Sequence, residues 1–238
     1  MIKEQLGEVR ASIPEGVTLV AVSKYHPVEA LQEAYEAGQR IFGESRENEL
    51  KTKVEALPSD IEWHFIGHLQ SNKVKYIAPF VSLIHSIDTE KLLDEVEKQA
   101  VRWHDERVAR LGAAGEQIEV LLQLHVAQEE TKSGFAPDEL LDLLSHYQVA
   151  ERWPHVRLRG VMGMASFVDD PEQWRREFRQ IVACHKALLD GPLKAQGIGS
   201  EQFGLLSFGM SDDYLVAIEE GSNMVRVGSK IFGPRSYA

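Results

Sequence analysis

Residues 19–24 read LVAVSK, an apolar run that stops on a lysine, with YHP directly behind it. Alternate side chains of a strand share a face, so Val20, Val22 and Lys24 form one row while Leu19, Ala21 and Ser23 form the other. Apolar residues on both rows mark a strand covered on both sides, the pattern of a parallel sheet. If Val20 and Val22 face the inside of a closed barrel, Lys24 also points inward, at the C-terminal rim where barrel proteins keep their chemistry. A lysine snorkelling from a strand end into solvent is the plainer alternative.

Seven further runs have the same character: RIFGES, EWHFIGHL, SLIHSID, IEVLLQLHVA, LRGVMGMAS, LLSFGM and NMVRVGS. Amphipathic stretches separate them. PVEALQEAYEAG ends on Gly38, TEKLLDEVEKQAVRWHDERVARLG reads as one long helix capped by Thr89, and DPEQWRREFRQIVACHKALL opens on Asp and Pro. Eight strands alternating with helices predict an α/β fold, a single TIM-type (β/α)8 barrel spanning residues 1–238 as one domain. An open doubly wound sheet is the alternative, but no GxGxxG follows the first strand.

Composition narrows the function. A formal net charge of −11 repels phosphate backbones and anionic lipid, so no nucleic-acid or membrane partner is expected and any anion site has to be local. The start MIKEQLGEVR lacks the apolar core of a secretion signal, and no run approaches the ~20 apolar residues of a membrane span. A lone cysteine, Cys184, fits a reducing cytoplasm and reads as a buried helical thiol.

The local anion site is sought in SFGMSDDYLVAIEEGSNMVRVGSKIFG, residues 207–233, because loops after the seventh and eighth barrel strands often bind phosphate. Gly228 and Ser229 let main-chain N–H groups approach an anion, and Ser211 offers a hydroxyl. A plain helix N-cap is the other reading of Ser211, with Asp212 and Asp213 placed on the helix dipole. Arg226 shares a strand face with Gly228, and an ion pair with an acid on a neighbouring strand is the structural alternative for it.

AVSK, FGES, WHFIGHLQSNK, RGVMGMA, SFGMSDD and VRVGSKIFG occur in the order and spacing of the pyridoxal phosphate homeostasis protein family (YggS/PROSC), and the chain resembles it from about Leu19 onward. That family resembles the N-terminal barrel domain of alanine racemase and binds pyridoxal 5′-phosphate (PLP) as a Schiff base. The resemblance implies that Lys24 forms the aldimine, that Ser211, Gly228 and Ser229 hold the phosphate, and that Arg226 faces the pyridine nitrogen. Met164 is placed near the cofactor ring, with Met162 as packing. Ser45 stands where many members carry an asparagine near the cofactor, and Ser229 stands where threonine is frequent.

Chemistry and resemblance then agree on a carrier. Guanidinium only donates, so an arginine at the pyridine nitrogen leaves that nitrogen unprotonated and weakens the electron sink. Alanine racemase takes a second base from a domain after the barrel, and this chain ends at Ala238, shortly past the last strand. A cytoplasmic, monomeric PLP-homeostasis protein without catalytic residues is expected, with PLP-dependent apo-enzymes as possible recipients. A small standalone PLP-dependent racemase or lyase is the alternative. His64 and His68 lie about 13 Å apart along a strand, too far to share a metal ion, and His64 reads as barrel-interior or near-cofactor. Gln70 to Lys73 reads as a rim loop and helix start without an assigned ligand, and WHDERVAR as a solvated helix face.

Overall fold

The computed structural model describes residues 1–127 and 133–234. Strands β1 (Thr18–Val22), β2 (Ile41–Glu44), β3 (Glu62–Phe65), β4 (Leu83–Ile87), β5 (Ile118–Gln123), β6 (Val156–Met162), β7 (Leu205–Ser207) and β8 (Met224–Val227) pair in sequence order and close into a barrel. Every pairing is parallel, and closure comes from β1 against β8, where Val20 stands opposite Arg226 and Ala21 opposite Val227. All eight apolar runs form the strands expected of them.

Helices cover the outside: α1 (Ile2–Ala11), α2 (Val28–Glu36), α3 (Glu47–Ala56), α4 (Val74–Ile77), α5 (Glu90–Arg102), α6 (His104–Leu111), α7 (Pro137–His146), α8 (Val149–Arg152), α9 (Pro171–Asp190), α10 (Pro192–Ala195), α11 (Tyr214–Glu219) and α12 (Ser229–Phe232). Their caps follow the sequence. Asp170 Oδ1 accepts from the N–H groups of Glu172 and Gln173 to start α9, and Thr89 Oγ1 accepts from Leu92 N to start α5. Buried Leu, Ile and Phe side chains of these helices pack on the outward rows of the strands, such as Ala21, Phe42 and Val225.

The inward rows build two layers. Val20, Leu83, Leu121, Met162 and Met224 form a separate buried apolar cluster inside the barrel. Two residues further along β4, β7 and β8 stand His85, Ser207 and Arg226, joined by His64 of β3, so a polar layer lies between the apolar floor and the C-terminal rim.

Three expectations need correction. The long helix from Thr89 breaks at Trp103 into α5 and α6. Within WHDERVAR, Arg107 is 1 % exposed rather than solvated. Its guanidinium donates to the carbonyls of Ala78, Val81, Gly115 and Gln117, a set of acceptors that only the folded chain assembles. Finally, β1 ends at Val22, so Lys24 sits two residues beyond the strand, in the turn that follows it.

Candidate functional site

At the C-terminal rim a cavity of about 200 Å³ is lined by Val22, Lys24, Ile66, Met164, Ser211, Arg226, Gly228 and Ser229, with His26, Phe167, Met210, Asp212 and Gly233 completing the wall. Six of the residues singled out in the sequence therefore meet in one place, drawn from four separate strand-to-helix connections. Ser45 does not join them. It is half-buried beside β3's exit, its backbone packed so closely on Gly67 that a Cβ there would lie 2.4 Å from the Ser45 carbonyl oxygen.

Lys24 reaches the wall because the inward parity of Val20 and Val22 carries through the turn. Val22, its neighbour in that row, lines the same cavity. Ser23 faces the other way, as its parity requires, and donates its hydroxyl to Glu44 Oε1 at 2.5 Å.

Arg226 comes from the inward row of β8 and is 4 % exposed. No carboxylate forms an ion pair with it among the described residues. Nη1 donates to Ser207 O at 2.8 Å and to Ser207 Oγ at 2.6 Å, and Nη2 donates to Gly163 O at 3.0 Å. A guanidinium has five N–H donors, so three are committed to protein acceptors. Burial lowers its pKa to about 10, with the charge of Asp213 acting in the opposite sense, and the group stays protonated at neutral pH.

Beneath Arg226 the polar layer continues. His85 Nδ1 lies 3.0 Å from Ser207 Oγ, and His85 Nε2 lies 3.0 Å from His64 Nδ1. Burial pushes the His64 pKa down to about 3 and that of His85 well below the ordinary value, so both rings are neutral. His64 is thus a buried barrel-interior residue, whereas His68 is exposed.

The side of the cavity that holds Ser211, Gly228 and Ser229 is built from two turns in contact. Gly228 donates its N–H to Ser211 Oγ at 3.2 Å. Ser211 does not cap a helix: α11 begins at Tyr214 with Asp213 in the cap position, and Asp213 Oδ1 accepts from Met210 N. A Cβ on Gly228 would meet Val22 O at 3.0 Å, so glycine lets the β8 exit approach β1 closely. At the start of α12 the N–H groups of Ile231 and Phe232 are taken by the Gly228 carbonyl, and those of Ser229 and Lys230 precede any helical acceptor.

Several wall residues escaped the sequence reading. Ile66 and His26 follow strand exits and could have been found by extending the inward parity one step past His64 and one step past Lys24. Ser207 and His85 carried a legible signal as well, being polar residues on the inward rows of otherwise apolar strands. The Gln70–Lys73 segment is tied to the β2 exit by an ion pair of 2.5 Å between Lys73 Nζ and Glu47 Oε1, and stays off the cavity wall. Cys184 is buried, and burial raises its thiol to about 11, which suits a packing role.

The family model for the alanine racemase N-terminal domain matches residues 1–236. A pyridoxal phosphate homeostasis protein of Vibrio alginolyticus is 40 % identical over 230 residues, covering 94 % of this chain and 89 % of its own. PipY of Synechococcus elongatus PCC7942, a COG0325 family member whose structure was solved with PLP bound, is 31 % identical and superposes with a TM-score of 0.82 over 98 % of this chain and 100 % of its own. Alanine racemase from a D-cycloserine-producing Streptomyces lavendulae, at 18 % identity and a TM-score of 0.71, shares the barrel over 98 % of this chain and 56 % of its own. This chain belongs to the pyridoxal phosphate homeostasis protein family, and its barrel is that of the alanine racemase N-terminal domain.

Proposed function

We propose that the rim cavity binds pyridoxal 5′-phosphate through a Schiff base to Lys24, and that the protein works in PLP homeostasis as a carrier rather than a turnover enzyme. The observation that carries this reading is the meeting of one amine, one buried guanidinium and an N–H-rich turn in a single small cavity. That donor set fits a phosphorylated pyridine aldehyde. Lys24 supplies the nucleophile, its nitrogen displacing the aldehyde oxygen as water. Ser211 and Ser229 supply phosphate donors, the Gly228 N–H holds Ser211 Oγ in place beside them, and Arg226 supplies a permanent donor toward the ring nitrogen. Met164 and Ile66 give the ring an apolar wall.

When bound, PLP supplies an electrophilic imine and an electron sink. Arg226 limits the sink, because a donor that is protonated at neutral pH leaves the pyridine nitrogen as an acceptor. Binding, exposure and release of the cofactor then remain as the protein's work, with PLP-dependent apo-enzymes as recipients. The whole barrel acts as one PLP-binding domain, as a monomer, in the cytoplasm. The net charge of −11 supports a small-molecule ligand over nucleic acid or anionic membrane, and no described helix is long and apolar enough to cross a membrane.

The test is the visible absorption spectrum of the purified protein before and after borohydride reduction, followed by peptide mapping. A reducible yellow band and a stable adduct on Lys24, absent from Lys24→Ala, are expected. An adduct on Lys73 or Lys230 in place of Lys24 overturns the assignment.

A further inference from the structure

The two peptide groups on either side of Lys24 are both held by one helix. Lys53 Nζ of α3 donates to the Ser23 carbonyl at 2.8 Å, and that oxygen belongs to the peptide preceding Lys24. Glu49 Oε2, one helical turn earlier, accepts from Tyr25 N at 2.8 Å, and that N–H belongs to the peptide following Lys24. The two side chains are themselves bonded, Lys53 Nζ to Glu49 Oε2 at 3.3 Å.

Behind them lies Glu44, fully buried at the end of β2. Its Oε1 accepts from Lys53 Nζ at 2.7 Å and from Ser23 Oγ at 2.5 Å, so the cluster also grips the side chain of the residue before Lys24. Lys53 is 4 % exposed, and a buried ammonium is kept only where acceptors surround it. Here it has three.

The backbone shows what this clamp opposes. Tyr25 adopts φ 66°, and no other non-glycine residue among those described has a positive φ. A bulky side chain in the left-handed region is strained, and such a conformation persists only when its surroundings over-determine it. The turn it makes is what takes the chain off the end of β1 while leaving Lys24 on the cavity wall.

We infer that Glu49 and Lys53 are positioning residues for Lys24: they hold the strained Ser23–Tyr25 turn so that the lysine amine meets the aldehyde carbon, without touching the ligand themselves. This rests on the reading of Lys24 as the PLP-bearing residue. Imine formation needs the amine at a defined distance and angle, and a misplacement of about 1 Å can cost on the order of a hundredfold in such steps.

The experiment compares two ligands on the full chain. PLP binds covalently and noncovalently, whereas pyridoxine 5′-phosphate carries an alcohol in place of the aldehyde and cannot form the imine. Glu49→Ala is expected to lower the borohydride-trapped fraction on Lys24 at limiting PLP by roughly tenfold, while the dissociation constant for pyridoxine 5′-phosphate stays within about twofold. Glu49→Gln keeps an acceptor for Tyr25 N–H but loses the charge facing Lys53, and is expected to fall between, about threefold below the parent.

A structural role would weaken both ligands together. If both variants keep the parental ratio of trapped to noncovalent binding, or lose the two in proportion, the inference is overturned. Should Glu49→Ala fail to fold, the ratio in Glu49→Gln decides by the same criterion. An absence of any Lys24 adduct in the parent protein instead overturns the proposed function, which separates the two failures.

Discussion

Ser207 Oγ lies 2.6 Å from Nη1 of Arg226, and the chemistry of the two groups gives that contact a direction. A guanidinium only donates, so the serine oxygen accepts and its own hydrogen is left for Nδ1 of His85, 3.0 Å away. His85 then carries its proton on Nε2 and donates to Nδ1 of His64. In this arrangement donors run one way from the rim into the barrel, and each contact from Arg226 to His64 has one donor and one acceptor.

This direction predicts the tautomers of both imidazoles. In ¹⁵N-labelled protein, His85 and His64 should both show the Nε2–H form at neutral pH. Ser207→Ala removes both an acceptor of Arg226 and the donor to His85, and should release the His85 tautomer while costing about 1–3 kcal/mol in urea unfolding. A mutant that leaves the His85 nitrogen shifts untouched would argue against the directed row.

Acid should weaken the fold through the same pair. Both histidines have native pKa values below the ordinary 6.5, so on falling below that value the unfolded chain takes up protons that the native chain refuses. Stability therefore falls as pH drops from 6.5 toward about 3 for His64, by about 1.4 kcal/mol per pH unit for each group. Glu44 has the opposite sense: burial raises its native pKa, so its contribution is lost as pH rises through that raised value. Comparing His64→Gln with the parent isolates one histidine, and the variant's stability curve should be shallower on the acid side by about one proton.

Phosphate affinity can be read without the covalent bond. Ser211→Ala should weaken pyridoxine 5′-phosphate by about 1.5 kcal/mol, roughly tenfold, for one lost hydrogen bond to a charged group. Gly228→Ala should cost more, because its Cβ would sit 3.0 Å from the Val22 carbonyl and push the two turns apart. Isothermal titration of both variants checks the order. Equal affinities in the parent and in Ser211→Ala would remove the hydroxyl from the site.

Arg107 should matter for stability and not for the ligand. Arg107→Leu leaves three buried carbonyls and one part-buried carbonyl without their donor and should lower the unfolding free energy by about 3 kcal/mol or more, read as a drop in melting temperature. Binding of pyridoxine 5′-phosphate at low temperature should be unchanged.

Carrier and enzyme separate in heavy water. PLP-loaded protein incubated with L- or D-alanine, serine or lysine should show no racemisation approaching the rates common to enzymes, on the order of 1 per second or more. Inversion at such rates would promote a racemase.

Much of this was legible because burial on both faces leaves a strong trace. Eight short apolar runs became eight strands, and the parity of Val20 and Val22 placed Lys24 on the inner side even though the strand ends before it. What escaped depends on backbone atoms, which sequence patterns do not display. Arg107 was read as solvated and a neighbouring acid was the structural alternative for Arg226, yet both are satisfied mainly by carbonyls whose convergence exists only in the folded chain. The turn at Tyr25 is a third case, since nothing in the letters YHP announces a tyrosine at φ 66°. Ser45 is a simpler case: adjacency to a strand exit brings its backbone near the rim without making it part of the cavity wall.

The pairing of β1 with β8 also sets a timetable for the cavity. Val22 and Lys24 precede Arg226, Gly228 and Ser229 by most of the barrel, so synthesis supplies one wall of the cavity well before the other. Closing so long a loop is slow and is not repaid until the final strand docks. A nascent chain that lacks β8 therefore has a lysine but no cavity around it. Ligand capture reports completed ring closure, and a ligand held only by the closed form tightens the ring in return, by about 2.7 kcal/mol at a hundredfold excess over its dissociation constant.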